Sequence, residues 1–366
     1  TMNWSRTLAC ASLALLSALP ACRQKKPAPR IPSEINAWPT STPAEAGLDA
    51  EKLKAFSDAI TGNGVVVRHD KLAYPWGSPN SSVDVASASK PVLVHLVFKA
   101  VEAGIISSID EPVVKWEPRL ARLNANLGHK DAKITWHHLM DQTSGYGLVE
   151  EPGTAFAYND YQTQLFWELL FEKVYACKAE EVTDKVLRPQ LFDLIGALDK
   201  PSYRIRPAPQ VTGRLVVSAR DFARVGLVYL HGGKWQGKQV IDEKWVKLTL
   251  ESYLPLTVPR TSGKEAEMLP GARTSGGTKD QENNLGGYGF MWWRNKPDAT
   301  GKLLWPDVPT DAYGAVGHGG LKVLIIIPSQ DMVVVWNSVN LERREMGNGG
   351  REQINDAMKR LMAAVK

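Results

Sequence analysis

The sequence predicts a mixed α/β fold: an antiparallel sheet flanked by terminal helices, with a mostly helical lobe inserted into it. Three observations predict it. Apolar strand-like runs lie toward both ends of the chain, as GVVVRHDKLAYPW from Gly64 and as LKVLIIIP and MVVVWNS from Leu321 and Met332. Residues 105–250 between them read mostly as helix by their apolar spacing. Amphipathic helices precede the first strands and follow the last. A sheet built from sequence-distant pieces should leave a cleft between itself and the inserted lobe.

Asp49 caps a helix carrying Leu53, Phe56 and Ile60 on one face. Gly64 to Trp76 alternates as a hairpin turning at His69-Asp70. Ser87 to Val101 is a helix that tolerates Pro91 in its first turn, carries Leu93, Val97, Ala100 and Val101, and stops at Gly104. Being apolar nearly all round, it belongs inside. Tyr161–Tyr175 and Ala219–His231 are the clearest helices of the lobe. Thr257–Gly287 is polar, Gly-rich and without periodicity, over a length at which loops are functional lids or disordered. YGFMWW from Tyr288, LKVLIIIP and MVVVWNS then read as adjacent strands, the last two turning at Ser329-Gln330-Asp331. Ile354, Ala357, Met358, Leu361, Met362 and Val365 mark a C-terminal amphipathic helix.

With 366 residues, 43% of them hydrophobic, the chain can bury a sizeable core and is too apolar for a disordered protein. The formal charge of +5 does not mark a nucleic-acid binder, because Arg6, Arg23, Lys25, Lys26 and Arg30 against Glu34 account for +4 of it, all before residue 35. Nucleic acid is therefore not an expected partner. Arg6 precedes an apolar run, Leu8 to Leu19, too short to span a hydrocarbon core as a helix, and Pro20-Ala21-Cys22 follows. Residues 1–22 read as a signal peptide. LPAC resembles a bacterial lipoprotein box, which implies lipidation of Cys22; plain secretion is the alternative. Residues 23–37, rich in Pro and basic side chains, read as an extended linker, and the folded domain is expected over 38–366. The expected location is exported, periplasmic or outer-membrane, with the membrane touched only through the lipid. Cys10 leaves with the leader and Cys22 is acylated, so Cys177 has no partner and reads as a buried apolar group.

The chemistry begins at Ser87-Ala88-Ser89-Lys90. A hydroxyl and an amine three residues apart at a helix start project from one face within bridging reach. A serine hydroxyl becomes a nucleophile when a neighbour takes its proton, and a buried amine is able to do so. The helix N-terminus and the Ser87 backbone N–H favour a developing oxyanion. Taken alone, the pair better fits a helix cap with a solvated lysine. Two further segments bear on it: EPGTAFAYND, with Tyr158 and Asp160 after a Pro-Gly turn, and VGHGGLKVLIII, with His318-Gly319-Gly320 at the lip of an apolar strand.

Together with ITWHHLMDQTSG and SARDFARVGLVYLHGGKW, these motifs resemble the serine β-lactamase and penicillin-recognising superfamily from about Trp38 to Val365. Class C β-lactamases, related carboxylesterases and hydrolases of linear aminohexanoate amides are the nearest in kind. The resemblance implies a β-lactamase/transpeptidase-like fold with Ser87 as acylated nucleophile, Lys90 as its activating partner and Tyr158 as the phenol sharing the serine proton. It matches His318-Gly319-Gly320 to the Lys-Thr-Gly strand motif and makes the Leu321 N–H the second oxyanion donor. One departure stands out: the family's Tyr-x-Asn is Tyr158-Asn159-Asp160 here, so a carboxylate replaces an amide that donates hydrogen bonds. Asp160 beside Lys90 would favour the ammonium and move the base role toward Tyr158.

The expected function is therefore serine hydrolysis of carboxylic esters or linear amides through an acyl-enzyme, on a small-molecule or peptide-like acyl substrate. The alternatives are a class C-like β-lactamase or DD-peptidase, and a non-catalytic protein that binds a cell-wall ligand. No Gly-x-Ser-x-Gly occurs, which argues against a nucleophile elbow. No cofactor or metal is expected, since His137 and His138 are adjacent, on different sides of a helix, and no His-Glu-x-x-His is present. Trp292-Trp293 and Trp305 are read mostly as core.

Overall fold

Strands from the two ends of the chain pair side by side, as a sheet interrupted by a lobe requires. The structure, a computed structural model, describes residues 38–204, 213–255, 257–271, 287–298, 300–341 and 350–366. The expected leader with Cys22, the linker 23–37 and residues 272–286 of the expected lid lie outside the described residues.

Helix α1 (Ala50–Ile60) starts where the Asp49 carboxylate accepts the N–H groups of Glu51 and Lys52. The hairpin of β1 (Asn63–Arg68) and β2 (Lys71–Trp76) turns at His69-Asp70, both left-handed. β3 (Val83–Asp84) leads into a 3-10 turn, Ala86–Ser89, and then α2 (Lys90–Glu102), which Gly104 follows with φ 69°. The lobe contains α3 (Trp136–Met140), α4 (Asp160–Glu168) and a wider π-type turn through Leu169–Val174. β4 (Ser202–Arg204) and β5 (Arg214–Val217) precede α5 (Ala219–Leu230), a small hairpin of β6 (Lys234–Trp235) and β7 (Lys238–Gln239), and α6 (Glu243–Glu251). The chain closes with β8 (Tyr288–Gly289), β9 (Trp292–Arg294), β10 (Tyr313–Gly317), β11 (Lys322–Ile327), β12 (Met332–Asn337) and α7 (Arg351–Met362).

The main sheet runs β2-β1-β12-β11-β10-β9-β8 and each neighbouring pair is antiparallel. Val65 faces Val335, and Val335 faces Leu324, so the two chain ends lock in one register. Their β-branched runs are buried on both faces, which explains why they are apolar throughout rather than alternating. On one face Trp336 meets Phe56 of α1, with ring centroids 6.2 Å apart. On the other, a Cβ on Gly226 of α5 would lie 2.7 Å from Leu324 and from Val333, so only glycine allows this helix so close.

Three elements differ from expectation. The lobe is less helical than its apolar spacing suggests: short 3-10 turns fill much of Val113–Lys133, and β3, β5 and β4 form a second small sheet. YGFMWW is two strands, not one. Phe290 and Met291 form a left-handed turn because the Phe290 N–H donates to Asp141 Oδ1 (2.8 Å) and the Met291 N–H to the Met140 carbonyl (3.0 Å) at the end of α3. Finally, residues 257–271 form a strap laid along the lobe. Its bonds run Val149 N–H to Lys264 O (3.1 Å), Ala266 N–H to Gly147 O (3.0 Å), Phe156 N–H to Pro259 O (2.9 Å) and Thr261 N–H to Phe156 O (2.9 Å). Among the described residues no helix is long and apolar enough to cross a membrane.

Candidate active site

Ser87 sits inside the 3-10 turn that feeds α2, and Lys90 is the first residue of that helix. The Lys90 N–H closes the turn on the Ser87 carbonyl, and Nζ donates to Ser87 Oγ at 2.9 Å. The entry is strained: Ala86 is left-handed (φ 51°), a conformation that costs about 1–2 kcal/mol for an L-residue. Asp84 Oδ1 holds it by accepting the Ala86 N–H at 2.7 Å. Lys90 is 5% exposed while Ser87 remains partly open, so the amine is sheltered and the hydroxyl reachable.

Tyr158 comes from the lobe. The Ala157 N–H bonds the Gln142 carbonyl (3.0 Å), and Gln162 ties Ser144 (Oγ to Oε1, 2.8 Å) to the Ala157 carbonyl. Asn159 caps α4 by accepting the Gln162 N–H at 3.1 Å. These bonds set Tyr158, 4% exposed, so that Lys90 Nζ lies 4.5 Å from its ring centroid. Lys90 Nζ thus stands between the serine hydroxyl and the face of the phenol ring in a desolvated setting. Tyr288 and Trp293 back the ring, with centroids at 5.8 and 5.9 Å. Three side chains from two remote segments therefore converge.

Asp160 is the first residue of α4 and is partly exposed. His318 and Gly319 are exposed on the β10–β11 turn, in which His318, Gly319 and Gly320 all have positive φ. Trp336 donates its indole N–H to the Gly320 carbonyl (2.8 Å), and a Cβ on Gly350 would fall 1.8 Å from the Gly319 carbonyl oxygen. The turn is thus stacked on the start of α7. The Leu321 N–H donates to the His318 carbonyl (3.4 Å) within the turn. Gly317, at the end of β10, lies against the turn that carries Ser87. A Cβ there would come within 2.5 Å of the Val85 carbonyl and 3.1 Å of the Ala88 nitrogen. β9 pairs with β10 only at Tyr313 and Gly314, so beyond that point this side of β10 has no strand partner among the described residues.

Sequence reasoning missed Gly317, Tyr288 and Trp293. A glycine ending a run of small residues immediately before His318 was the available signal for the first. The other two owe their position to the Phe290-Met291 turn. His137 and His138 have structural roles: His137 bridges Asp110 and Asp141 (both 3.2 Å), and His138 Nδ1 accepts the Thr135 N–H in a capping box. Cys177 is buried, and burial pushes its thiol up to about 11. Among the described residues no group of three or more His, Cys, Asp or Glu side chains forms a metal site.

The beta-lactamase family model matches residues 50–357, which include all of these elements except the end of α7. The chain belongs to the beta-lactamase family. It is a serine hydrolase of that family. An uncharacterized protein of Alkalihalophilus pseudofirmus is 22% identical over 273 residues, 69% of this chain and 71% of that protein. Among solved structures, a Bacillus anthracis protein assigned as a 6-aminohexanoate-dimer hydrolase superimposes with TM-score 0.60 at 16% identity, covering 89% of this chain and 87% of its own. The hydrolase EstCE1, described as having promiscuous acyltransferase activity, gives TM-score 0.57 at 16% identity, covering 85% and 98%. At these identities the two structures speak for the fold. The expected β-lactamase/transpeptidase-like architecture is the one found.

Proposed function

We propose that this beta-lactamase-family hydrolase cleaves carboxylic esters or linear amides through an acyl-enzyme on Ser87. The observation that carries the reading is the convergence of Ser87 Oγ, Lys90 Nζ and the Tyr158 ring. Ser87 Oγ attacks the carbonyl carbon while its proton passes to the Lys90–Tyr158 pair, which for this step carries one proton fewer than ammonium with phenol (amine beside phenol, or ammonium beside phenolate) and then gives that proton to the departing alkoxide or amine. A water molecule then attacks the acyl-serine, gives its proton to the same pair, and Ser87 leaves with that proton. The Ser87 N–H is one donor to the oxyanion, and the open edge of β10 at Gly317 is where the rest of the acyl group would lie.

Asp160 favours esters and linear amides over β-lactams. By the resemblance of Tyr158-Asn159-Asp160 to the family's Tyr-x-Asn, it would put a carboxylate where a penicillin side-chain carbonyl needs a donor. The test combines a fluorophosphonate label with a substrate panel. Wild type should be labelled and S87A should not, and nitrophenyl esters or linear amides should turn over at least about tenfold faster than a chromogenic cephalosporin. Preference for the cephalosporin would reassign the enzyme as a β-lactamase. An unlabelled, inert wild type would leave a ligand-binding protein. D160N with unchanged preference and an unchanged acidic limb of the pH–rate profile would remove Asp160 from the argument.

A further inference from the structure

Ser89, a hydroxyl of the nucleophile turn that the proposed mechanism does not use, is 3% exposed and donates to the Ala86 carbonyl at 2.7 Å. Asp84 Oδ1 accepts the Ala86 N–H, also at 2.7 Å. Both polar groups of the residue before the nucleophile are therefore held, one by the chain ahead of it and one by the chain behind. That residue, Ala86, is buried and left-handed at φ 51°, a conformation that an L-residue keeps only where its surroundings impose it. The base of the clamp is fixed as well. Asp84 pairs with Val216 of β5, the Val85 N–H donates to the Leu215 carbonyl (3.1 Å), and the Ala88 N–H returns to the Val85 carbonyl (3.1 Å).

The consequence lies in the peptide group that joins Ala86 to Ser87. Peptide groups are planar and, before any residue but proline, trans, so the C=O and N–H of one group point in opposite directions. A hydroxyl that fixes the Ala86 carbonyl thereby fixes the direction of the Ser87 N–H. A carboxylate that fixes the Ala86 N–H holds the preceding peptide plane, and with both planes held the left-handed bend between them is held too. Relaxation of Ala86 to an ordinary negative φ would swing the Ser87 N–H by roughly 100°. We propose that Asp84 and Ser89 are positioning residues that aim the Ser87 backbone N–H at the developing oxyanion by clamping the two peptide planes around Ala86. Within the hydrolase reading above, on which this rests, they supply the orientation of the oxyanion donor.

Sulfur is a weaker hydrogen-bond acceptor than oxygen, so an aimed N–H favours an ester over its thionoester, in which sulfur replaces the carbonyl oxygen. S89A and D84A should each lower kcat/KM for nitrophenyl acetate by about 10–10², chiefly in kcat, and shrink its advantage over nitrophenyl thionoacetate at least fivefold. Both substrates are measured on one preparation, so this ratio does not depend on the fraction of the variant that is folded. S89T and D84N keep the donor and the acceptor and should stay within about threefold of wild type. In D84A/A86G, where glycine takes positive φ without strain, kcat/KM should recover at least fivefold over D84A. Equal losses on ester and thionoester would show that the clamp merely holds the turn together and would overturn the proposal, as would a D84A/A86G variant no faster than D84A. A wild type that fluorophosphonate does not label overturns the hydrolase reading itself, and it is told apart because neither ester then turns over.

Discussion

The two limbs of the site are held in different ways. Ser87 and Lys90 share one turn, and their 2.9 Å contact follows from three residues of local geometry. Tyr158 reaches the same point through a relay, Gln142 to Ala157 and Ser144 to Gln162, that exists only once the lobe has folded. A hydroxyl and an amine on one turn occur in many proteins, and on their own they cap a helix. In the proposed mechanism, what makes them reactive is a phenol ring delivered at 4.5 Å from Lys90 Nζ. The inserted lobe is therefore best understood as the bracket that turns a local motif into a catalytic group.

If the two limbs act as a unit, disabling either should cost nearly as much as disabling both. K90M and Y158F are each expected to slow Ser87 acylation by about 10²–10⁴, the usual range for loss of a general acid–base partner. The double variant should fall only a fewfold further, because a proton relay with one member missing gains little from the other. Single-turnover labelling rates of the four proteins give the cycle directly. Multiplicative losses would show two independent roles and break the comparison.

A smaller effect is expected from moving one limb without altering its chemistry. G317A places a Cβ 2.5 Å from the Val85 carbonyl and 3.1 Å from the Ala88 nitrogen, both backbone atoms of the nucleophile turn. The turn must shift, at a cost of about 1–3 kcal/mol in stability. Since misplacement by about 1 Å costs near 10²-fold, kcat/KM should fall by about 10–10². Denaturant titration and ester turnover read the two quantities. Full activity with lowered stability would show that the edge of β10 merely packs against Ser87 and does not align it.

The same contrast explains what could be read from the chain alone. Ser87 with Lys90, the pairing of both chain ends and the Asp49-capped helix are encoded by residues close in sequence or by long apolar runs, so composition and period reveal them. The strap could not be seen, because most of its bonds to 147–156 join backbone groups that every residue possesses. YGFMWW looked like one strand because its turn is imposed from outside, by Asp141 and Met140, on residues that rarely take positive φ. His318-Gly319-Gly320 matched a motif in composition, and Gly317 immediately before it packs against the turn that carries Ser87. Nothing in the local pattern distinguishes a glycine needed for a turn from one needed for close approach.

The least of the expected effects concerns His137, which links the two limbs through the Phe290-Met291 turn. Its ring stacks on Phe290 (5.0 Å, 20°) and its nitrogens face Asp141 and Asp110, while Asp141 also accepts the Phe290 N–H. The hydrogen bond to Asp141 raises the imidazole above its ordinary value, with Asp110 adding to it and burial opposing. Neighbouring His138 is held below its ordinary value by burial and by the charge of His137. A folded-state value above the unfolded one, about 6.5, means that protonated His137 stabilises the fold fully below that pH. The contribution disappears as pH rises through the folded value. The Tm difference between wild type and H137Q should therefore be largest near pH 5.5 and shrink by pH 9. The ring is about one-third exposed, so the difference should reach no more than about 2 °C. A difference that grows with pH would mean that the neutral ring braces the turn and that the Asp141 contact is not an ion pair.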